Sequence, residues 1–448
     1  MKKLTCFLIV IVSFTTLSYT QRPWTLTDCI DYAHANNIQI KRSRLQAEIA
    51  EVNLLQAKTN VLPGLNGNAS RDYRFGRQVD PFTNEFIGNN SVSDNFSLSS
   101  SIGLFSGLQN FNNIRSNKYA TLAALQNVER EKVEKTLEIS SAYLSILFQQ
   151  ELLDVATNQR SVTELQVART QKLVEAGSIA RGDLLEIQAQ LAGEDLNVTN
   201  RRNDLQLSIL NLVQLLDLDS AGEFSIITPD SIDINMLPEL PGVYTVYNEA
   251  LNYLPHFKMY EYMVNIAKSN LAMQYGRMSP TIYMTGSIYT GYSDQRILTD
   301  QAGNPVDYPY SDQIKDNFAQ SVSVGISIPI FNQWQVVNDI SKAKVQLYDS
   351  KFQLEQIKQS LYQNIQQAHN DAVSAKAKHN SALEAVNSYT ESFHYTEQKY
   401  NVGIVNSVEY NIAKNNYIRA ESELLQAKYE YIFSVKILDF YRGIPMAL

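Results

Sequence analysis

A mixed α and β membrane protein assembled from an internal tandem repeat is the fold class that this sequence predicts. Three observations predict it. A pattern recurs at a fixed offset, helical segments run too long for a globular domain, and two hairpins carry strands that alternate apolar with small polar residues.

The repeat comes first, because a missed duplication misassigns the whole fold. Leu104-Phe105-Ser106-Gly107 recurs as Ile330-Phe331-Asn332-Gln333, 226 positions later. At the same offset of 226, the run from Ala176-Gly177 to Gly182-Asp183 recurs from Val402-Gly403 to Val408-Glu409. Upstream, Ala33 matches Ala250 and the Leu62-Pro63 break matches Ser279-Pro280 at an offset of 217, so the second copy carries nine additional residues between Pro280 and Phe331.

The N-terminus has the build of a secretory signal: Lys2 and Lys3, an apolar stretch from Leu4 to Leu17, and a small-x-small site Ser18-Tyr19-Thr20 before Gln21. The apolar run is shorter than the roughly 20 residues of a spanning helix, which disfavours a retained anchor. Neither Cys6 nor Cys29 sits in a lipid-attachment motif. Removal of the leader leaves Cys29 alone, so no intrachain disulfide is possible and stability rests on burial and assembly. The expected organisation is a signal peptide at 1–20, a first repeat at 21–242 and a second at 243–448. The first repeat holds a helix, a hairpin at 63–105, long helices at 107–216 and a linker at 217–242; the second holds a helix, a hairpin at 280–331 and long helices at 333–440. A formal charge of −8, from 38 basic and 46 acidic residues, argues against a nucleic-acid binder, which would show a basic face.

Segments 25–60, 107–216, 243–277 and 333–440 are rich in Ala, Leu, Gln, Glu and Lys with apolar residues at helical spacing. Tyr119, Leu122, Leu125, Val128, Leu137, Tyr143, Leu144 and Leu147 mark one face, and Glu129, Arg130, Glu131, Lys132 and Glu134 crowd the other. A single helix from Phe111 to Ala176 would be about 100 Å long at 1.5 Å per residue. Coiled coils, helical arrays and long tubes use such helices.

The hairpins have period two. Phe96, Leu98, Ile102 and Leu104 alternate with Ser97, Ser99, Ser101 and Gly103. Val322, Val324, Ile326 and Ile328 alternate with Ser321, Ser323, Gly325 and Ser327 within Phe318 to Ile330, and Ile282, Met284 and Ile288 with Tyr283, Thr285, Ser287 and Tyr289 within Thr281 to Tyr292. In Leu65 to Phe75 the pattern is weaker, because Arg71 falls on the apolar parity. A polar face of Ser, Thr and Asn rather than Lys and Glu suits a water-filled lumen, since a strand spans a membrane in about 9 to 11 residues. A pair of half-buried soluble hairpins is the alternative. Tyr73, Phe75, Tyr283, Tyr289 and Tyr292 near strand ends are expected in an interfacial aromatic girdle. Long loops at Gln78 to Asp94 and Ser293 to Asn317 lie at one end of the hairpins, and helices continue from the other.

Four strands leave two open edges, and unpaired N–H and C=O groups have no water to bond in lipid. One chain therefore cannot close a barrel. Two copies give eight strands and a filled interior; three give twelve and room for a lumen, which the small polar faces favour.

The strand-exit motif Leu104-Phe105-Ser106-Gly107, the opening Thr25-Leu26-Thr27-Asp28-Cys29-Ile30-Asp31-Tyr32-Ala33 with Asn36-Asn37, the Gly-x5-acid turns and the duplicated order resemble the TolC-type outer-membrane efflux proteins over essentially the whole mature chain. The resemblance implies a homotrimer in outer-membrane lipid, with four strands per chain in a twelve-stranded β-barrel and a long periplasmic α-helical barrel below it. It also implies an equatorial belt, supplied here by Asp217 to Gly242 with Pro229, Pro238 and Pro241 and by residues near the C-terminus. The implied function is an exit duct for efflux or type I secretion, fed by an inner-membrane pump through a periplasmic adaptor.

Each long helix ends at a glycine with an acid six residues on, Gly177 with Asp183 and Gly403 with Glu409. A left-handed glycine ends a helix at little cost, and an acid near the next N-terminus meets free N–H groups, so packing alone explains much of the pattern. The resemblance adds roles. It implies that Gly177, Ser178, Gly403 and Ile404 meet the adaptor tip and that Asp183, Tyr400 and Glu409 form a periplasmic gate, with a hydrogen bond from Tyr400 to Asp183 across neighbouring helix pairs. Two positions depart from relatives: Val405 where some carry a basic gate residue, and Ile412 where some carry a second acid ring.

No catalytic constellation is evident. His34, His256, His369, His379 and His394 lack metal-ligand spacing, and neither a nucleophile elbow nor a phosphate-binding loop occurs. No enzyme activity, cofactor or nucleic-acid partner is expected, and transport would be passive. The competing reading is an exported coiled-coil structural or adhesive protein without a channel.

Overall fold

The computed structural model describes residues 23–76, 78–79, 84, 86–87, 90–219, 224–228, 234, 239–299 and 303–446. The expected leader, with Cys6, and Pro229 and Pro238 of the linker lie outside the described residues. In chain order the first copy contains α1 (Leu26–Asn36), α2 (Ile38–Thr59), β1 (Gly64–Arg74), β2 (Gln78–Val79), β3 (Phe86–Ile87), β4 (Ser91–Ser106), α3 (Gln109–Glu175) and α4 (Arg181–Leu215). The second contains α5 (Val243–Tyr253), α6 (Pro255–Gly276), β5 (Thr281–Ser293), β6 (Leu298–Thr299), β7 (Pro305–Val306), α7 (Tyr310–Asp316), β8 (Ala319–Ser327), α8 (Gln335–Asn401) and α9 (Ser407–Tyr441).

Every helix of the first copy has a partner of identical length in the second. α1 and α5 have 11 residues, α2 and α6 have 22, α3 and α8 have 67, and α4 and α9 have 35. Among the described residues the only helix without a counterpart is α7, in the loop that holds the additional residues.

The segments expected as single helices at 25–60 and 243–277 are each broken once, at equivalent places. Asn37 leaves the helix at ψ 131°, and its side-chain Oδ1 accepts from the N–H groups of Gln39 (3.0 Å) and Ile40 (3.3 Å). That satisfies donors at the start of α2. In the second copy Leu254 is extended, at φ −71° and ψ 129°, because it precedes Pro255. Proline excludes helical geometry from the residue before it and is tolerated at the first helical position.

The chain divides into two compact units. One comprises Arg42–Arg130 and Leu254–Leu361. Its centre is a four-stranded antiparallel sheet in the order β1-β4-β5-β8, so β1 and β8 are the open edges. One face carries Asn66, Ser99, Ser287 and Ser321 side by side across all four strands. On that face the hydroxyls of Thr285 and Ser323 are hydrogen-bonded at 2.7 Å and those of Ser287 and Ser321 at 2.8 Å. The opposite face aligns Leu98 with Ile288 and Ile102 with Met284 and Val324. Val322 is 77% and Val324 65% exposed there; among the described residues only the loop end of this face is covered, where Tyr310 of α7 packs on Tyr292 at 4.8 Å and Thr290 donates to the Ile314 carbonyl.

The register resolves the misplaced Arg71. It stands opposite Asp94, and the guanidinium grips that carboxylate at 2.6 and 2.7 Å, so the charge on the apolar face is paired. Alternation would set Phe105 on the polar face, but a bulge at Leu104 moves it opposite Ile282 on the apolar one. The girdle expected from five aromatic residues needs correction. Tyr283 and Tyr289 lie on the polar face with Thr285 and Ser287, and Tyr283 lies over Gly325, where an added Cβ would sit 2.4 Å from the ring. Tyr73 and Tyr292 remain on the apolar face at the loop end. At the helix end the exposed aromatics include Phe105, Phe111, Phe331 and Trp334.

Where the sheet passes into the long helices, the copies share a backbone but not a sequence. Gly107 and Leu108 have φ of 59° and 61°, and Gln333 and Trp334 have φ of 54° and 62°. Glycine is required only in the first copy, because a Cβ on Gly107 would lie 2.2 Å from the Gly276 carbonyl oxygen.

The other unit comprises the described residues up to Lys41, Glu131–Tyr253 and Tyr362 onward. Its core joins Leu26, Cys29 and Ala33 of α1 to Ile139, Tyr143 and Leu147 of α3, Leu212 and Leu216 of α4, and Ile432 and Phe440 of α9. Trp24 forms a parallel bridge with Ile226, and the Tyr143 hydroxyl donates to the Ile227 carbonyl at 2.7 Å. These contacts tie residues 224–227 of the linker to the helices. The expected single apolar stripe on α3 holds only in part. Leu125 is exposed, and between Ile139 and Leu147 only Ser141 and Ser145 escape burial, because packing surrounds the helix there.

Candidate functional site

The candidate site lies at the turns that end α3 and α8, in one compact unit. Gly177 and Gly403 have φ of 70° and 78°. The N–H of Gly177 donates to the Val174 carbonyl (2.9 Å) and that of Ser178 to Leu173 (2.9 Å); Gly403 and Ile404 repeat this toward Tyr400 (3.1 Å) and Lys399 (2.9 Å). These paired bonds satisfy the last carbonyls of each helix, and glycine reaches the left-handed conformation without a Cβ penalty. Nothing lies within 4 Å of an added Cβ at either glycine, so dihedral angle rather than space selects the residue.

The helix starts differ. Asn406 caps α9, its Oδ1 accepting from the Glu409 N–H at 2.9 Å, whereas Ala180 precedes α4 with no side-chain cap. Asp183 and Glu409 stand in the first turns of α4 and α9, Asp183 half-buried and Glu409 exposed. Gly177, Ser178, Gly403 and Ile404 are all exposed.

Tyr400 is half-buried and stacks on Tyr410 at 4.8 Å between ring centroids. Within the chain no hydrogen bond joins it to Asp183. Phe393 packs on Tyr410 at 5.5 Å and stacks on Tyr417 at 5.8 Å with planes 7° apart. An aromatic ladder thus zips α8 to α9 behind the turn. Burial pushes the Tyr410 hydroxyl up to about 12, helped by the charges of Glu397, Tyr400 and Glu194.

Sequence reasoning missed a polar layer behind these turns. The Lys414 side chain on α9 is 1% exposed, and its Nζ donates to Glu194 of α4 at 3.0 Å and to the hydroxyl of Thr163 on α3. Thr163 also donates to Glu194, and Gln190 donates to the same carboxylate at 3.2 Å. Desolvation pulls the Lys414 ammonium below the ordinary lysine range, and Glu194 partly opposes this. One signal could have exposed it: Tyr410, Lys414, Tyr417 and Glu421 fall at i, i+4, i+7 and i+11, which sets a lysine and a glutamate in an aromatic stripe. Burial likewise holds the Glu421 carboxyl above its usual range, against a hydrogen bond with Tyr417.

Two more contacts join the α3/α4 hairpin to α8 and α9 near the turns. Arg169 donates to Asn401 at 2.6 Å and Ser407 to Glu186 at 2.6 Å. Farther from the turns, Lys428 (3.1 Å) and the Tyr429 hydroxyl (2.6 Å) both bond Glu151 of α3. Among the described residues no group of His, Cys, Asp and Glu is placed to hold a metal ion, and no helix is long and apolar enough to cross a membrane.

Comparison with known proteins places this architecture. The outer membrane efflux protein of Brucella suis called BepC is 20% identical over 409 residues, covering 91% of this chain and 83% of that protein. The outer membrane protein TolC of Escherichia coli is 22% identical over 440 residues, covering 97% and 85%. The crystal structure of the Campylobacter jejuni CmeC outer membrane channel superposes with a TM-score of 0.79 at 14% identity, covering 93% of this chain and 85% of that one. The fold is that of the TolC-type channels, with strands for a β-barrel and long helices for a helical barrel, and the protein resides in the outer membrane and extends into the periplasm. Outer membrane efflux protein is the family that matches residues 29–217 and 246–443, a family of channels rather than enzymes, and the chain belongs to it.

Proposed function

We propose that this chain is the exit duct of a tripartite efflux or type I secretion system, a passive channel for substrates delivered by an inner-membrane pump through a periplasmic adaptor. The observation that carries the reading is the four-stranded sheet with two open edges and an apolar face whose valines and isoleucines on β8 stand exposed. Such a sheet is stable in lipid only when other copies pair its edges, and three copies make twelve strands around a lumen lined by serine, threonine and asparagine. The mature chain would begin at Gln21, with repeats at 21–242 and 243–448.

In this reading the turns at Gly177-Ser178 and Gly403-Ile404 meet the adaptor. Asp183, Tyr400 and Glu409 govern entry: Tyr400 bonds Asp183 of a neighbouring helix pair in the closed mouth, and copies of Glu409 around the axis favour cations. Exposure of the tip residues and the half-burial of Asp183 and Tyr400 support this.

The test has two stages. The protein should fractionate with outer membranes as a heat-modifiable trimer and conduct ions in planar bilayers; release by salt or urea without conductance would defeat the duct. Asp183→Ala should then raise single-channel conductance. An unchanged value would defeat the Tyr400 to Asp183 latch and leave the duct standing.

A further inference from the structure

We propose that the cavity between α3 and α9 binds a small anionic amphiphile: an apolar body with a carboxylate, sulfonate or phosphate at one end and an N–H or O–H donor along its length. The inference does not depend on the exit-duct reading and adds a ligand site away from the mouth. Size, the contrast between its two ends and an unsatisfied amide support it.

The cavity has a volume of about 540 Å³, inside the roughly 300–1,000 Å³ of small-molecule pockets. It follows α9 from Arg419 to Phe433, about 21 Å at 1.5 Å per residue, and its walls belong to one compact unit.

Its ends differ in chemistry. Thr163 of α3 meets Lys414 of α9 and Glu151 of α3 meets Lys428, so α3 and α9 run antiparallel. Glu194 of α4 also meets Lys414, and Arg201 and Arg419 lie seven and five residues past those two, at one level and nearer the turns. Toward the other end the floor is Leu144, Phe148, Tyr429 and Phe433, with Phe148 packed on Tyr429 at 5.7 Å.

The arginines are loosely held. Arg201 reaches Asp204 at 3.7 Å and Arg419 reaches Glu423 at 4.0 Å, the outer limit of an ion pair, whereas Arg160 grips Asp195 at 2.7 Å. Such guanidiniums can turn onto a shared anion and bind it through paired N–H groups. Glu430, the other carboxylate on the wall, is paired with Lys378 at 3.1 Å and accepts from Gln426 at 2.8 Å, so it opposes the anion only weakly.

Midway, Gln149 lines the cavity, and its Oε1 is shut off from water and accepts no hydrogen bond among the described residues. An unpaired buried acceptor is costly, and a ligand N–H or O–H would satisfy it after rotation about χ3. A plain alkyl chain would leave both the amide and the guanidiniums unserved.

The experiment titrates the purified full-length protein with toluidinonaphthalene sulfonate, whose sulfonate and tolyl group lie at opposite ends with an N–H between them. Its fluorescence is read above a detergent blank, and binding should saturate at one probe per chain. Arg201→Gln with Arg419→Gln should weaken binding about tenfold or more, and Gln149→Leu about threefold to tenfold. The analogue without the sulfonate should bind the wild type and the double arginine variant alike. Ser145→Trp, which fills the cavity from an exposed position on α3, should abolish binding while the melting temperature holds. A wild-type signal no greater than the blank, as a second copy or a partner helix seated in the groove would give, overturns the site. So does a folded Ser145→Trp protein that binds normally, and an affinity unmoved by loss of both arginines overturns the anionic ligand.

Discussion

The α3/α4 hairpin and the α8/α9 hairpin agree in helix length and turn geometry and disagree in packing chemistry. Subtracting the repeat offset, Phe393, Tyr400, Tyr410 and Tyr417 correspond to Val167, Val174, Leu184 and Leu191, and Lys414 corresponds to the exposed Gln188. Backbone geometry follows from hydrogen bonding and a single glycine, which any side chains can accompany. Packing chemistry is then free to diverge. One copy became an arm stiffened by aromatics and pinned by a buried ion pair; the other remained aliphatic and supplies the surface that receives the pin.

The largest expected effect breaks the comparison at its most asymmetric position. Lys414→Ala leaves Glu194 without its cation and opens a cavity, at a cost on the order of 3–5 kcal/mol. Gln188→Ala at the equivalent exposed position should cost no more than about 0.5 kcal/mol. Thermal melting of the two variants, read by circular dichroism, should separate them clearly; equal losses would mean that Lys414 is solvated. Next in size are the shared turns. Gly177→Ala and Gly403→Ala should each cost about 1–2 kcal/mol, by equal amounts, since both glycines are left-handed and neither is crowded.

Caps sharpen the contrast at smaller scale. Asn406→Ala should lose about 1 kcal/mol, and Ala180→Asn should gain a similar amount by supplying the cap that α4 lacks. Glu421 offers a pH test. Its folded pKa is raised, so the native state holds the proton more tightly than the unfolded chain does. The stabilisation is present below the ordinary glutamate range and is lost as pH rises through the folded value. Glu421→Gln should therefore melt above the wild type at pH 7, and the gap should close on acidification to about pH 4. A gap independent of pH would place Glu421 in water.

Much of this was legible in the chain. The duplication, the alternating strands and the glycine turns are local patterns with fixed periods, and backbone physics reads them without tertiary help. Pro255 marks the break at Leu254 and Asn37 the matching one, yet apolar spacing continues across both, so each segment reads as one helix from its sequence. The partner of Arg71 was not legible, since register across β1 and β4 decides which residue stands opposite. Nor was the parity change at Leu104, because a bulge adds one residue to one strand without altering composition. Lys414 was the least legible of all: a lysine on a helix ordinarily faces water.

The sequence by itself determined that one unit is built twice, that each copy gives two strands and a long helical hairpin, and where the hairpins turn. These follow from periodicity and from the steric freedom of glycine, which act between near neighbours. Tertiary structure decided which chemistry lies behind the mouth. Burial of Lys414 against Glu194 and Thr163, the stacking of Tyr400 on Tyr410 rather than a bond to Asp183 in the same chain, and the pairing of Arg71 with Asp94 all join residues distant in sequence. Electrostatic and aromatic contacts depend on separation in space, and only the packed helices and the paired strands fix that.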